Sequence, residues 1–185
     1  MTHFTEVLDF WFGAPDSRER GLPRKAWFEK SDAFDADVRR FVPLWERAAR
    51  GELDLWQATP LASLALIVVL DQFPRNMFRG TARAFSSDAR ALAAAMLAVD
   101  RAFDRVLVEH ERTFVYLPFE HAEDLAVQRR SLEVFGSRDP DNLIWAKRHY
   151  DIVARFGRFP HRNAALGRES TPEEIEFLKQ PGSSF

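Results

Sequence analysis

Apolar positions along the chain recur three and four apart, and strict alternation is hard to find; this is the period of helices rather than strands. The first stripe is Phe4, Val7, Leu8, Trp11 and Phe12, with Gly13 as its stop. A polar loop with Gly21 and Pro23 follows. Ser31 or Asp32 is then placed to cap a helix whose stripe is Phe34, Val38, Phe41, Val42 and Trp45, ending at Gly51. Pro43 falls inside that pattern and predicts a kink or two short helices, because proline removes a donor and crowds the preceding turn. Thr59-Pro60 reads as a cap with proline at the first helical position. It opens a helix over 60–72 that is apolar on all sides and therefore central.

Downstream, Phe73-Pro74-Arg75-Asn76 reads as a loop, with Gly80 beyond it. Ser86 or Ser87 caps a helix carrying Leu92, Ala95, Met96 and Val99. A short segment near 106–116 leads to Pro118 and a long helix over 119–135 that Gly136 ends. Asp139-Pro140 starts another, which runs to Phe156 and stops at Gly157. Ser170-Thr171-Pro172-Glu173-Glu174 places a cap, a proline and first-turn acids ahead of Ile175 and Leu178. Seven to nine helices on short loops define one all-α domain over 1–179, with a tail, 180–185, expected to fray. Antiparallel hairpins stacked as a tetratricopeptide-like array suit this pattern, although no 34-residue consensus repeat can be read.

The length of 185 residues fits a single domain whose core needs no disulfide or metal. The longest apolar run, 61–70, is interrupted only by Ser63 and is about half the roughly 20 residues that span a bilayer. The N-terminus carries acids and no basic stretch, unlike a secretory signal, so the expectation is a soluble, cytoplasmic protein. Zero cysteine excludes disulfides, thiolate metal sites and cysteine nucleophiles, and it agrees with a reducing compartment. A net charge of −2 and a pI near 6.2 give no pull toward nucleic acid or anionic membrane. Two biases remain: 17 Phe with 5 Trp, and 22 Arg against 4 Lys. The first promises a rigid core, and the second supplies planar two-point donors where such groups are needed.

Candidate chemistry comes from polar residues on apolar faces. On the helix expected over 119–135 the inward stripe is His121, Leu125, Gln128, Leu132 and Phe135, with Glu120 and Asp124 on the same side. Glu120 would sit in the first turn, where a carboxylate suits the helix dipole. On the next helix, Trp145, His149, Ile152, Val153 and Phe156 form the stripe, with Arg148 and Arg155 beside it. Two similar segments, Phe73-Pro74-Arg75-Asn76 and Phe159-Pro160-His161-Arg162-Asn163, each use Phe-Pro to fix an extended approach and then deliver Arg and Asn. With Arg79, Arg155 and Arg158 they form a cationic set opposite Asp71, Glu120 and Asp124. If all converge, positive charge is in surplus, which favours a carboxylate, a phosphate or a peptide C-terminus.

Those segments also carry a family resemblance. Leu70-Asp71-Gln72-Phe73-Pro74-Arg75-Asn76 with Phe78-Arg79-Gly80 resembles a signature of the bacterial family of unknown function DUF924. So do Tyr116-Leu117-Pro118-Phe119-Glu120-His121-Ala122-Glu123-Asp124, the segment from Arg155 to Asn163, and the opening Val7-Leu8-Asp9-Phe10-Trp11-Phe12-Gly13. Ala122 departs from the pattern, where Ser is usual, so one local hydroxyl is missing. The resemblance implies an all-α, tetratricopeptide-like fold and supplies no reaction.

The chain has no P-loop, dinucleotide fingerprint, nucleophile elbow or zinc helix. No metal or other cofactor is expected, because the nearby arginines disfavour a cation. Three functional readings stay open. One is a binding module for an anionic peptide end or small metabolite, using Arg75, Asn76, Arg79, Gln128, His149, Arg155, Arg158, Arg162 and Asn163. A second is a hydrolytic or acid–base enzyme, with His121 or His161 as proton carrier and Glu120 or Asp124 as its orienter. The third is a structural network that joins helices. Oligomeric state is not encoded in any of these features.

Overall fold

A computed structural model describes residues 3–18 and 20–184. Among these residues the secondary structure is entirely helical, with no strand. Helix α1 (Phe4–Phe12) is capped by His3 and Glu6 and ends at Gly13, whose φ is 91°. The loop that follows is tied back to it. Arg20 donates to the Gly13 carbonyl, Arg24 to those of Phe10 and Trp11, and Trp27 Nε1 to that of Trp11. These donors satisfy carbonyls that a helix end leaves open.

Pro43 acts as expected. Helix α2 (Asp32–Val38), capped by Ser31, gives way to a 3-10 turn (Arg39–Phe41) before α3 (Val42–Ala49). Thr59-Pro60 opens α4 (Pro60–Met77), almost all of which is buried. This helix is the hub: α1, α2, α3, α5 (Asp88–Asp100) and α6 (Glu109–Glu120) all pack on it. A one-dimensional array, in which each repeat touches only its neighbours, is thus not the plan of the N-terminal two thirds. Beyond the hub, α6, α7 (Leu125–Arg138) and α8 (Leu143–Phe156) pack on one another. A 3-10 turn (Pro160–Arg162), a short α9 (Asn163–Leu166) and α10 (Pro172–Leu178) complete the chain. No helix is long and apolar enough to cross a membrane among the described residues.

The aromatic excess is concentrated where α1 meets α4 and α6. The Trp11 ring lies 5.5 Å from Phe34, 5.7 Å from Phe73, 5.6 Å from Phe114 and 6.4 Å from Trp27. These tilted, edge-on and stacked separations are those that aromatic rings prefer.

Four expectations about boundaries are corrected. Phe73-Pro74-Arg75-Asn76 is not a loop, because α4 continues through Pro74 to Met77. Proline at 74 has no N–H for the carbonyl of Leu70, four residues back. Ser87 Oγ donates to that carbonyl at 2.6 Å, and Trp45 Nε1 donates to the same hydroxyl at 2.9 Å. The donor missing from the helix is supplied by its neighbour.

The helix over 119–135 is really two, broken between His121 and Asp124. Asp124 adopts an extended conformation and caps α7, while Gln128 Nε2 closes the end of α6 by donating to Glu120 O (2.6 Å) and Ala122 O (2.8 Å). Glu120 therefore lies in the last turn of a helix, not the first, and Gly136 lies within α7 rather than ending it. Trp145 points outward, 45% exposed. The tail is folded as far as it is described: Ser183 is buried and its hydroxyl donates to Leu178 O. Phe185 lies outside the described residues.

Candidate functional site

The break at 121–124 positions the site. As α6 ends, its last residues face α4, and His121 Nδ1 comes to 2.8 Å from Oδ1 of Asp71, whose side chain is 1% exposed. Gln72 Nε2 donates to the other Asp71 oxygen at 2.6 Å. One turn along α4, Arg75 Nη1 lies 3.3 Å from Asp71 Oδ1. Arg75 also makes a two-point bridge to Asp88 on α5, at 2.8 and 2.9 Å. From the 3-10 turn, Arg162 Nη1 donates to the His121 carbonyl (3.0 Å) and approaches Asp88 Oδ2 (3.4 Å). Its guanidinium lies between two rings, 4.7 Å from the centre of Phe85 and 4.5 Å from that of Phe159.

The turn bearing Arg162 is itself braced. Glu123 accepts from the Phe159 amide (2.7 Å) and from both terminal nitrogens of Arg168 (2.6 and 2.9 Å). Behind His121 lies His149, ring centres 6.1 Å apart, with Phe159 on its other side at 5.6 Å. His149 Nδ1 donates to Trp145 O at 2.8 Å and stands 3.4 Å from Glu120 Oε2. Glu120 Oε1 is buried and has no partner.

Burial and neighbouring charge divide these groups sharply. Burial alone would raise Asp71, but Arg75, His121 and Gln72 hold its carboxyl far below the usual range. Burial, then the Arg75 charge, pushes His121 down against the pull of Asp71. Burial and His121 take His149 down to about 3, and burial with Arg162 takes His161 to about 4. Burial, reinforced by the Asp139 and Asp71 charges, raises Glu120 well above a normal carboxyl. At neutral pH the site thus holds ionised Asp71 and three neutral imidazoles, beside a Glu120 whose surroundings favour its protonated form. Ionised Asp71 accepts the Nδ1 proton of His121, which leaves the lone pair on Nε2. That nitrogen has no hydrogen-bond partner among the described residues, and it is not among the buried, unsatisfied atoms. The side chain as a whole is 14% exposed.

Asp71, Arg75, Glu120, His121, His149, His161 and Arg162 are thus brought together. The other sequence candidates are engaged elsewhere. Asn76 and Arg79 both donate to Asp35, Arg155 to Glu173, and Arg158 to Glu174. Asn163 donates to Ser170 and Glu174, Gln128 closes α6, and Asp124 accepts from the amides of Ala126 and Val127. The expected cationic surplus therefore does not form. The two converging arginines, Arg75 and Arg162, are matched by Asp71 and Asp88. Sequence reasoning missed Asp88 and Phe85. Asp88 reads there as an ordinary first-turn acid after its cap, and its only distinguishing signal is that its partner sits 13 residues back, on another helix. Among the described residues no three His, Asp or Glu side chains are arranged to share a metal ion.

Fold and site together define a helical protein organised round one buried helix, with an Asp–His pair flanked by guanidiniums at its polar end. The chain belongs to the family described as "Bacterial protein of unknown function (DUF924)", which it matches over residues 7–182. It is similar to a solved structure, a protein of unknown function, ATU0120, from Agrobacterium tumefaciens. The two are 44% identical over 95% of this chain and 96% of the other, with a TM-score of 0.85. No curated protein matches the chain.

Proposed function

We propose that Asp71 and His121 form the acid–base centre of a hydrolytic or proton-transfer enzyme. The observation that carries this reading is the 2.8 Å contact between His121 Nδ1 and the buried Asp71 carboxylate, on a histidine side chain that keeps 14% exposure. A carboxylate on Nδ1 fixes the tautomer and steadies the imidazolium that forms when Nε2 takes a proton. His121 is taken as the base because the Asp71 carboxylate lies directly against its Nδ1. In the same cluster Arg75 is committed to Asp88 and Asp71. Arg162, which meets Asp88 only at 3.4 Å and whose Nε has no partner, is the group left to steady negative charge developing on a substrate. Cysteine is absent and no activated hydroxyl lies in the cluster, so the attacking group would be a water or the substrate itself.

The test is a panel of ester, amide and phosphoryl substrates assayed with wild type, His121→Ala and His161→Ala. The expected loss in His121→Ala is about 10²- to 10⁴-fold, the usual share of a general base. The rate should also fall on acidification through a pKa below 6.5, as Nε2 becomes protonated. Turnover unchanged in both variants overturns the reading.

A second reading, a purely structural weld, is supported by the two-point Arg75–Asp88 bridge and by Arg162, which together join α4, α5, the end of α6 and the 3-10 turn. It expects Arg162→Lys to lower the melting temperature and change no chemistry. Capture of an anionic peptide end or metabolite has less support, because the anion would have to displace Asp88 from the arginines.

A further inference from the structure

Outside this cluster, a groove of about 450 Å³ lies between α8 and α10 and is lined by Arg148, Asp151, Ile152, Phe177, Pro181 and Gly182. Its floor is apolar: Ile152 is buried, and the half-buried Phe177 ring packs 5.0 Å from that of Phe156. Its far wall is a folded turn. The Ser183 amide donates to Gln180 O, and the Ser183 hydroxyl to Leu178 O. Gly182 has a φ of +78°, and nothing crowds the place where a Cβ would go, so the left-handed backbone itself calls for glycine.

The rim carries one charge of each sign, a turn apart on α8. Opposite charges at this spacing often pair, yet Arg148 and Asp151 do not. The Arg148 guanidinium lies 4.7 Å above the Trp145 ring, and neither residue forms an ion pair with a described residue. The arginines farther along are committed, Arg155 to Glu173 and Arg158 to Glu174. An anion alone would meet Asp151, and a cation alone would meet Arg148; a zwitterion satisfies both. The volume, near the lower end of the roughly 300–1,000 Å³ of ligand pockets, sets a small occupant.

We propose that this groove binds a free α-amino acid with an apolar side chain: carboxylate at Arg148, ammonium at Asp151, side chain on Ile152 and Phe177.

The test is an amide-resolved NMR titration of the intact chain with leucine and with phenylalanine. Phenylacetate and phenethylamine serve as single-charge controls, and a leucine dipeptide as a peptide control. Saturable shifts are expected for the amides of 148–152 and 177–183, with each control binding more weakly. Arg148→Gln and Asp151→Asn, both at exposed positions, should each weaken binding about two- to fivefold, the range of exposed ion pairs. Absence of a saturable shift overturns the proposal. So does a single-charge control or the dipeptide binding as tightly as the amino acid, or full affinity in both variants.

Discussion

Two buried regions of this molecule are held together by different physics. Around Trp11, Phe73 and Phe114, burial is apolar and non-directional, so what matters is volume and shape. Around Asp71, His121 and Glu120, burial is polar, and each atom needs a particular partner at a particular angle. The two regions share one helix and nearly adjacent positions: Phe73 follows Asp71 by two residues. The first tolerates a change of side chain if the space stays filled, whereas the second tolerates a change of partner less than a change of shape.

The largest expected effect is in the aromatic region. Phe73→Ala should lose about 3–5 kcal/mol in equilibrium denaturation, as large-to-small core changes do, while Phe73→Leu should lose under about 1.5 kcal/mol. Asp71→Ala should lose about 3 kcal/mol, the lower end for one member of a buried ion pair, because Arg75 keeps Asp88. Here the isosteric Asp71→Asn should recover little of the loss, since the charge is what Arg75 and His121 answer to. Equal recovery by Phe73→Leu and Asp71→Asn would erase the distinction between the regions. Ser87→Ala, which strands the Leu70 carbonyl, should lose about 1–3 kcal/mol.

Acid should sharpen the contrast further. His149 and His161 have folded pKa values near 3 and 4, below the unfolded 6.5. The unfolded chain therefore binds more protons between those limits, and stability should fall as pH drops from 6.5 toward 4. Glu120 works in the opposite direction. Its pKa is raised, so its contribution is lost as pH climbs above 4.5. Melting curves against pH should flatten on the acid side in His149→Gln and on the alkaline side in Glu120→Gln. Smallest of all is Arg79→Lys, which loses a two-point bridge to Asp35 from a 44% exposed side chain and should lose no more than about 1 kcal/mol.

The all-α class was legible because periodicity along helices such as α1 and α4 is a local property of the chain. The break at 121–124 was not, since an Asp that caps a helix and an Asp on a helix face look alike in a row of letters. What separates them is the Gln128 amide, which reaches back to close α6. Pro74 misled for a related reason: the donor that lets α4 continue through it comes from Ser87, in another element. Within the site, Asp71, Arg75, His121 and Arg162 stood out as polar groups in apolar or Phe-Pro surroundings. Asp88 did not, because its meaning depends wholly on a residue across a helix interface. Arg79, Arg155 and Arg158 were over-read, since nearness in sequence to a Phe-Pro step says nothing about which carboxylate each reaches in space.

The gap that Pro74 leaves in α4 also sets a register between helices. Ser87, drawn to the Leu70 carbonyl, is the residue before Asp88, so the bond that repairs the ladder also clamps the start of α5 at one height along α4. At that height Asp88 meets Arg75 squarely, and Arg162 within reach. A residue with an amide hydrogen at 74 would hand the Leu70 carbonyl back to its own helix and release that clamp. The two helices would then be free to slip, and the carboxylate that steadies both guanidiniums would go with them.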